Sequence, residues 1–552
     1  MTKELLAKAG SIAGRNWAPG VAIAAGAIAT FVAIYYARLP LLEWNLFRQT
    51  QTALTSYWMI EEGWRIPYQT PVVGYPWELP FEFPIYQSIV ALIAWATGFS
   101  LDPVGRLVSF SFLLACAWPA FQIARRLELP RDAAWVFCAL LWSSPLYLFW
   151  GRTFTIETAA VFFSLAAIPY ALDLRDTHPS YWSAALFAFF GSLAMLQKIT
   201  TAVPVLMVMG LLLVVGHVRN NGWRLPCWSK LGLVAAAFLV PLVIGLAWTR
   251  YADHVRGQNF LGQTTTFAAQ SSYYFGEMSD RLNFDWLKTV FWDRVIDKNA
   301  AGFLGVSLIA AGLIWTDHRT RATLFICLIL FAMPILIFFR VHWFIEYYQT
   351  ASALFLLGAL AIATVVGLRQ VTNPPLAVPL VTAVLVLANL FHFSTGYGHY
   401  LTQTLDASHT RALAVGDVIQ RYTAEDSAIL VFGLLSNDAA YPVVSWSSEI
   451  AYYSRRKAFT VEDSFESRIW DDPASYLGGK ELGAIVICAE DSLDRYAPII
   501  RKYDPDPSPG VFEVRGCYVW LPGVQSIVLA NGEHREKHLL GDGKDSGRRA
   551  SH

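Results

Sequence analysis

The sequence predicts a polytopic α-helical membrane protein carrying a small C-terminal α/β domain. Three observations predict it. Of 552 residues, 55% are hydrophobic and only 15% charged, with a mean hydropathy of +0.40, too apolar for a soluble chain of this size. Apolar runs long enough to cross a bilayer recur from residue 18 to residue 394. Beyond residue 400 the pattern changes to short β-type runs separated by amphipathic stretches.

The first run, roughly 18–39, has the length of a spanning helix, and the expectation is a retained anchor rather than a cleaved signal. Further runs lie at roughly 103–123, 133–150, 155–174, 182–197, 199–217, 231–249, 300–316, 322–339, 347–368 and 376–394. Together they give about eleven transmembrane helices. The run at 84–99, "PIYQSIVALIAWATGF", is shorter and begins with proline, so it reads as either a span or a juxtamembrane helix.

The basic residues decide between these. If 84–99 does not cross, then Arg125, Arg126, Arg131, Arg175, Arg219, Arg224, Lys230, Arg319, Arg321 and Arg369 share one side with Lys3, Lys8 and Arg15 of the N-terminus. That arrangement satisfies the positive-inside rule throughout. It predicts a plasma (inner) membrane protein with a cytoplasmic N-terminus. The first loop, 40–102, with its juxtamembrane helices, the loop 250–299 and everything after 395 then fall on the extracytoplasmic side.

The expected domains are therefore a transmembrane domain over 1–395, an extracytoplasmic α/β domain over 396–530 and a disordered tail over 531–552. In the α/β domain "SAILVFG", "GAIVICAED" and "GVFEVRGCYVWLP" read as strands, with "HTRALAVGDVIQRYT" and "SLDRYAPIIRKY" as helices between them. The tail has no apolar period. Forty-two basic residues balance forty-two acidic ones, so there is no basic field for nucleic acid. Six cysteines without C-x-x-C spacing argue against a zinc or thioredoxin-type site. Cys488 and Cys517 can pair only if their domain faces an oxidising compartment.

The candidate chemistry collects at the outer ends of the spans. "PLLEWNLFRQTQT" places Glu43, Arg48 and Gln49 just after the first span, and "GYPWELPFEFPIYQ" adds Glu78, Glu82 and Tyr86 in a proline-rich stretch that cannot be one helix. Irregular backbone at membrane depth is tolerated where it is buried or lines a cavity. Arg152 and Glu157 begin another span, Lys198 sits in a tight turn between two, and "RVHWFIEYYQ" supplies His342 and Tyr347. Each is an ordinary span-end residue by itself. Together they offer carboxylates for base work and cationic or hydroxyl donors for an anionic leaving group, the set that displacement of a lipid-linked phosphate requires.

On "WNLFRQTQT" and "EFPIYQ", a "GR…E" boundary, a lysine-containing turn and a later "H…Y" segment, the chain resembles the GT-C superfamily of membrane glycosyltransferases. That group includes the protein O-mannosyltransferases and the lipid A aminoarabinose transferase, and the chain looks most like an uncharacterised bacterial branch. The resemblance covers roughly 1–395. It implies an inverting transfer from a polyprenyl-phosphate sugar to a hydroxyl of a glycan, lipid or protein, with Glu43 as the acidic first-loop residue that serves as base or acceptor anchor, and the catalytic base is the role expected of it here. The contact to the donor phosphate that the family credits to a basic residue of the second motif is expected here from Arg48, Arg152, Lys198 or His342. Gln49, Glu78, Glu82, Tyr86, Glu157 and Tyr347 are left to hold substrate.

The chain departs from the family where a basic residue usually precedes the proline of the second motif, because Phe83 stands before Pro84. No ligand spacing identifies a metal site, although some relatives need a divalent cation, and no other cofactor is implied. An oligosaccharide ligase of the same superfamily is the alternative within the enzyme class. Outside it stand a lipid-linked sugar flippase, which should carry charges at mid-membrane, and a non-enzymatic envelope assembly protein.

Overall fold

The computed structural model describes residues 2–176, 178–222, 228–371, 376–403, 407–432, 447–461, 473–488, 500–503, 510–529 and 534–536. Packing divides the chain into two compact units. One comprises Met1–Leu39, Glu82–Tyr251 and Phe267–Leu401; the other comprises Pro40–Phe81, Ala252–Thr266 and Thr402–His552. The second unit thus gathers most of the first loop and part of a later one with the C-terminal domain.

Among the described residues, seven helices are long and apolar enough to cross a membrane, and an eighth if a pair bent by 91° counts as one span. The other expected spans take different forms. Residues 133–150 are split at Ser144–Pro145 into Arg131–Ser143 and Pro145–Trp150, because a residue before proline is driven out of the helical region, here to ψ 129°. Asn299 repairs the break: its Oδ1 accepts from Ser144 Oγ at 2.6 Å and Leu146 N at 3.0 Å. The runs at 155–174 and 182–197 become the 17-residue helices Glu157–Asp173 and Tyr181–Gln197. The run at 300–316 is the bent pair's second half, Phe303–Trp315. Segment 84–99 forms Ile85–Thr97, thirteen residues, or about 20 Å against a hydrocarbon core of about 30 Å.

The helix Glu346–Gln370 is the most enclosed of the seven, with 83% of its apolar window inside the protein against 22% for Trp228–Arg256. Glu346, Tyr347 and Tyr348 stand at its first turn.

The second unit is built on a five-stranded sheet. Its strands are β1 Ala428–Phe432, β2 Lys457–Val461, β3 Leu482–Ile487, β4 Val511–Val514 and β5 Cys517–Trp520, in the order β2-β1-β3-β5-β4. β1 runs parallel to β2 and β3, whereas β5 runs antiparallel to β3 and β4. β1 and β3 read as apolar runs because they are buried on both faces. Cys488 at the end of β3 is disulfide-bonded to Cys517 of β5. Most of the expected helix 492–503 lies outside the described residues. Within the tail expected to be disordered, β7 His534–Glu536 pairs antiparallel with β6 Ser526–Val528; residues 537–552 lie outside the described residues.

The open edge of β2 is capped by the first loop. Thr460 N donates to Val72 O at 2.8 Å, Ala458 N to Pro71 O at 3.1 Å, and Gly74 N to Ala458 O at 3.2 Å, with Val73 bridged antiparallel to Phe459. An uncovered edge would be a template for pairing with other chains. Asn259 then fixes the turn that follows: its Nδ2 donates to the carbonyls of Val73, Gly74 and Pro76, and its Oδ1 accepts from Leu261 N and Gly262 N. Lys457 closes the same edge, its ammonium paired with Glu62 at 2.5 Å and lying over the rings of Trp58 and Trp77.

Candidate active site

In the second unit, Glu43 is fully buried in the loop ahead of the helix Leu46–Glu61. Asn45, in the left-handed region at φ 57°, turns the chain into that helix. Anchors from the C-terminal domain hold the loop on either side of Glu43. Before it, Leu41 N donates to the hydroxyl of Tyr453 at 2.7 Å. After it, Ser448 Oγ donates to Phe47 O at 2.9 Å and lies 2.8 Å from Thr50 Oγ1. Arg48 and Gln49 occupy the first turn and a half of the helix: Arg48 Nη1 donates to Gln51 Oε1 at 2.7 Å, and Gln49 Nε2 reaches Trp44 O at 3.4 Å. Glu78 faces Gln69 across a short antiparallel bridge and is half-buried.

In the first unit the structure brings Glu157, Lys198, His342 and Tyr347 into one buried cluster. Lys198 is a single extended residue, φ −164° and ψ 105°, between the helices Tyr181–Gln197 and Ile199–Asn221, the tight turn that two abutting apolar runs demand. Its ammonium meets Glu157 Oε2 at 2.5 Å, with side chains 6% and 1% exposed. It also lies 3.8 Å from the Tyr348 ring centroid and 5.0 Å from that of Tyr347, and the Tyr348 and His342 rings meet edge to face at 5.9 Å. Burying a charge is expensive unless it is paired, and the carboxylate and the two aromatic faces supply that pairing.

His342 lies in this cluster. Read from sequence as a cationic contact for phosphate, it is fully buried, and desolvation lowers its pKa to about 3; the hydrogen bond with Gln349 opposes this, while Lys198 and Arg294 reinforce it. The Tyr86 hydroxyl donates to Gly105 O at 2.6 Å. Arg152 is 1% exposed, its guanidinium 5.3 Å from the Tyr36 ring and 5.2 Å from that of Phe149. Glu82 is half-buried.

Sequence reasoning missed Arg106, which is 1% exposed near the N-terminal end of the span Leu101–Arg126. Its signal was an arginine inside the first turns of an apolar run. It follows Gly105, where a β-carbon would stand 2.1 Å from the Phe154 ring, so the absent side chain there lets helix and ring close up. Sequence gave the backbone of Phe83 no role either, yet Phe83 N donates to Leu196 O at 2.9 Å and Tyr86 N to Gln197 Oε1 at 3.2 Å. The segment that lacks the family's basic residue is thereby tied to the turn that carries Lys198. Among the described residues, no three His, Cys, Asp or Glu side chains group as ligands for a metal ion.

No protein-family model matches the chain, and no curated protein matches its sequence. Solved structures do match its fold. ArnT from Cupriavidus metallidurans bound to undecaprenyl phosphate aligns with a TM-score of 0.60 at 16% identity, over 91% of this chain and 98% of its own. The arabinofuranosyltransferase AftD from Mycobacteria aligns at 0.51 and 14% identity, over 92% of this chain and 40% of its own. AglB, the oligosaccharyltransferase of Archaeoglobus fulgidus in complex with an inhibitory peptide and a dolichol-phosphate, aligns at 0.50 and 12%, over 92% of this chain and 74% of its own. The chain shares its fold with these structures, and among its described residues it carries helices long and apolar enough to cross a membrane.

Proposed function

We propose that the protein is an inverting glycosyltransferase that moves a sugar from a polyprenyl-phosphate-linked donor to an acceptor hydroxyl on the extracytoplasmic face of the membrane. The observation that carries this reading is the set of buried ionisable side chains, Arg106, Arg152, Glu157 and Lys198 in the first unit and Glu43 in the second. A membrane protein tolerates buried charges where they pair or work. The similarity to a structure that holds undecaprenyl phosphate supports a lipid-phosphate donor.

In this reading Glu43 takes the proton of the acceptor hydroxyl as its oxygen attacks the anomeric carbon. The bond from that carbon to the phosphate oxygen breaks on the opposite face, and the electron pair leaves with the polyprenyl phosphate. Cations stabilise the charge that develops there. Lys198 takes over the role of the basic residue that Phe83 replaces, since the Phe83 backbone bonds two residues ahead of it. Arg48 and Arg152 are the further phosphate candidates, and Gln49, Glu78, Glu82, Glu157 and Tyr347 the substrate contacts. The disulfide of the C-terminal domain fits an oxidising, extracytoplasmic setting.

The test is mass spectrometry of lipid extracts and envelope glycans from cells with the intact gene, a deletion, and Glu43→Gln at equal expression. The expected result is loss of one defined sugar from a glycan, lipid or protein, with its polyprenyl-phosphate donor accumulating in both mutant strains. A glycan changed by deletion but not by Glu43→Gln removes Glu43 from the base role.

A further inference from the structure

Gln349 fixes which nitrogen of His342 carries the proton. Its Nε2 donates to the His342 carbonyl at 2.9 Å, a bond that an amide oxygen in the same place could not make. Its Oε1 is therefore the atom facing His342 Nδ1 at 3.3 Å, so Nδ1 holds the hydrogen and donates. Arg294 Nη1 donates to the same carbonyl at 2.8 Å and holds the backbone in place. In the neutral ring, Nε2 is left with a lone pair and no hydrogen. It is buried, and no group among the described residues bonds to it.

Glu157 repeats this polarity. Its Oε2 accepts from Lys198, whereas Oε1 is buried with no hydrogen-bond partner among the described residues. The two orphan atoms belong to one cluster, joined through the Lys198 ammonium and the Tyr348 ring. Both accept and neither can donate. An ionised phosphate brings acceptors alone and would be repelled by this pair; a sugar brings hydroxyl donors.

We propose that His342 Nε2 and Glu157 Oε1 form a subsite that accepts hydrogen bonds from hydroxyls of the donor's sugar. This rests on the reading of the protein as a transferase using a lipid-phosphate sugar. The donor is favoured over the acceptor because the ammonium assigned to the donor phosphate, that of Lys198, lies within the same cluster, so hydroxyls nearby belong to the sugar attached to that phosphate. His342 thereby becomes a specificity residue for the sugar instead of a ligand of the phosphate.

The experiment measures binding to the full-length protein, by native mass spectrometry in detergent, of bare undecaprenyl phosphate and of a panel of undecaprenyl-phosphate hexoses and pentoses. The wild type should hold one sugar lipid at least tenfold more tightly than the bare lipid. His342→Phe, with no acceptor, should lose that preference and keep its affinity for the bare lipid, and His342→Gln, whose amide oxygen can stand in for Nε2, should restore part of it. Single-deoxy versions of the preferred lipid test the wild type without a variant: removal of one hydroxyl should erase most of the preference. The subsite is overturned if His342→Phe weakens both lipids equally, if it leaves the preference intact, if no deoxy analogue loses affinity, or if the wild type binds every sugar lipid no better than the bare one. A wild type that binds neither kind of lipid overturns the transferase reading itself.

Discussion

Two carboxylates, Glu43 and Glu157, are buried almost completely, one in each unit, and the fold holds them in opposite ways. Glu157 is built into the start of a helix and faced by a lysine fixed between two helices, so charge meets charge over a distance set by rigid elements. Glu43 stands in a loop whose path is set by hydroxyl-to-backbone bonds from Tyr453 and Ser448, residues about four hundred positions away. Loss of a partner should therefore cost mostly stability in the first case and mostly geometry in the second.

The largest test of that contrast is Glu43→Gln, expected to lower turnover by about 10²- to 10⁴-fold, the usual range for a positioned base, with the melting temperature unchanged. Equal losses of turnover and stability would show that Glu43 is structural. Next is Lys198→Met, which leaves the Glu157 carboxylate buried without its cation and should destabilise the protein by about 3–5 kcal/mol. Adding Glu157→Leu should recover most of that, as a double-mutant cycle would read. Asn259→Ala strips three carbonyls and two amides of a partner and should cost at least about 2 kcal/mol in thermal unfolding.

Tyr453→Phe removes one hydroxyl, worth about 1 kcal/mol. On the positioning argument it should lower kcat severalfold while KM for the lipid donor stays put; a change in KM alone would place Tyr453 elsewhere in the chemistry. The smallest effect is a pH dependence. Burial raises the pKa of Glu449 to about 7, above its unfolded value, so its contribution to stability is complete below about pH 4.5 and is lost as pH rises through about 7. Glu449→Gln should flatten this, giving a variant more stable than wild type at pH 8 and little different at pH 5.

What the sequence revealed of the site depended on distance along the chain. Lys198 was legible because the apolar runs ending at Gln197 and beginning at Ile199 leave it no room except a turn. The "HWFIEYY" segment was legible as a span boundary. The burial of His342 and its pairing with Gln349 were not, because both follow from how the elements pack, and packing is not a property of composition. Nor was the backbone pairing of residues 71–74 with the edge of β2, since proline-rich chain has no period to read and its partner lies far downstream. The split of run 133–150 was carried by Pro145, whose effect on Ser144 is local; its repair by Asn299 is not.

The anchoring of the Glu43 loop also governs the order in which the molecule can be completed. Leu41 and Tyr453 are separated by 412 residues, so at a synthesis rate of roughly 5–20 residues per second the loop exists for about 20–80 s before its tether is made. During that interval the edge-pairing stretch 71–74 has no sheet to join. A chain cut before β2 would never supply one, and the C-terminal domain is consequently not a detachable cassette but the last step in the maturation of a loop made near the beginning.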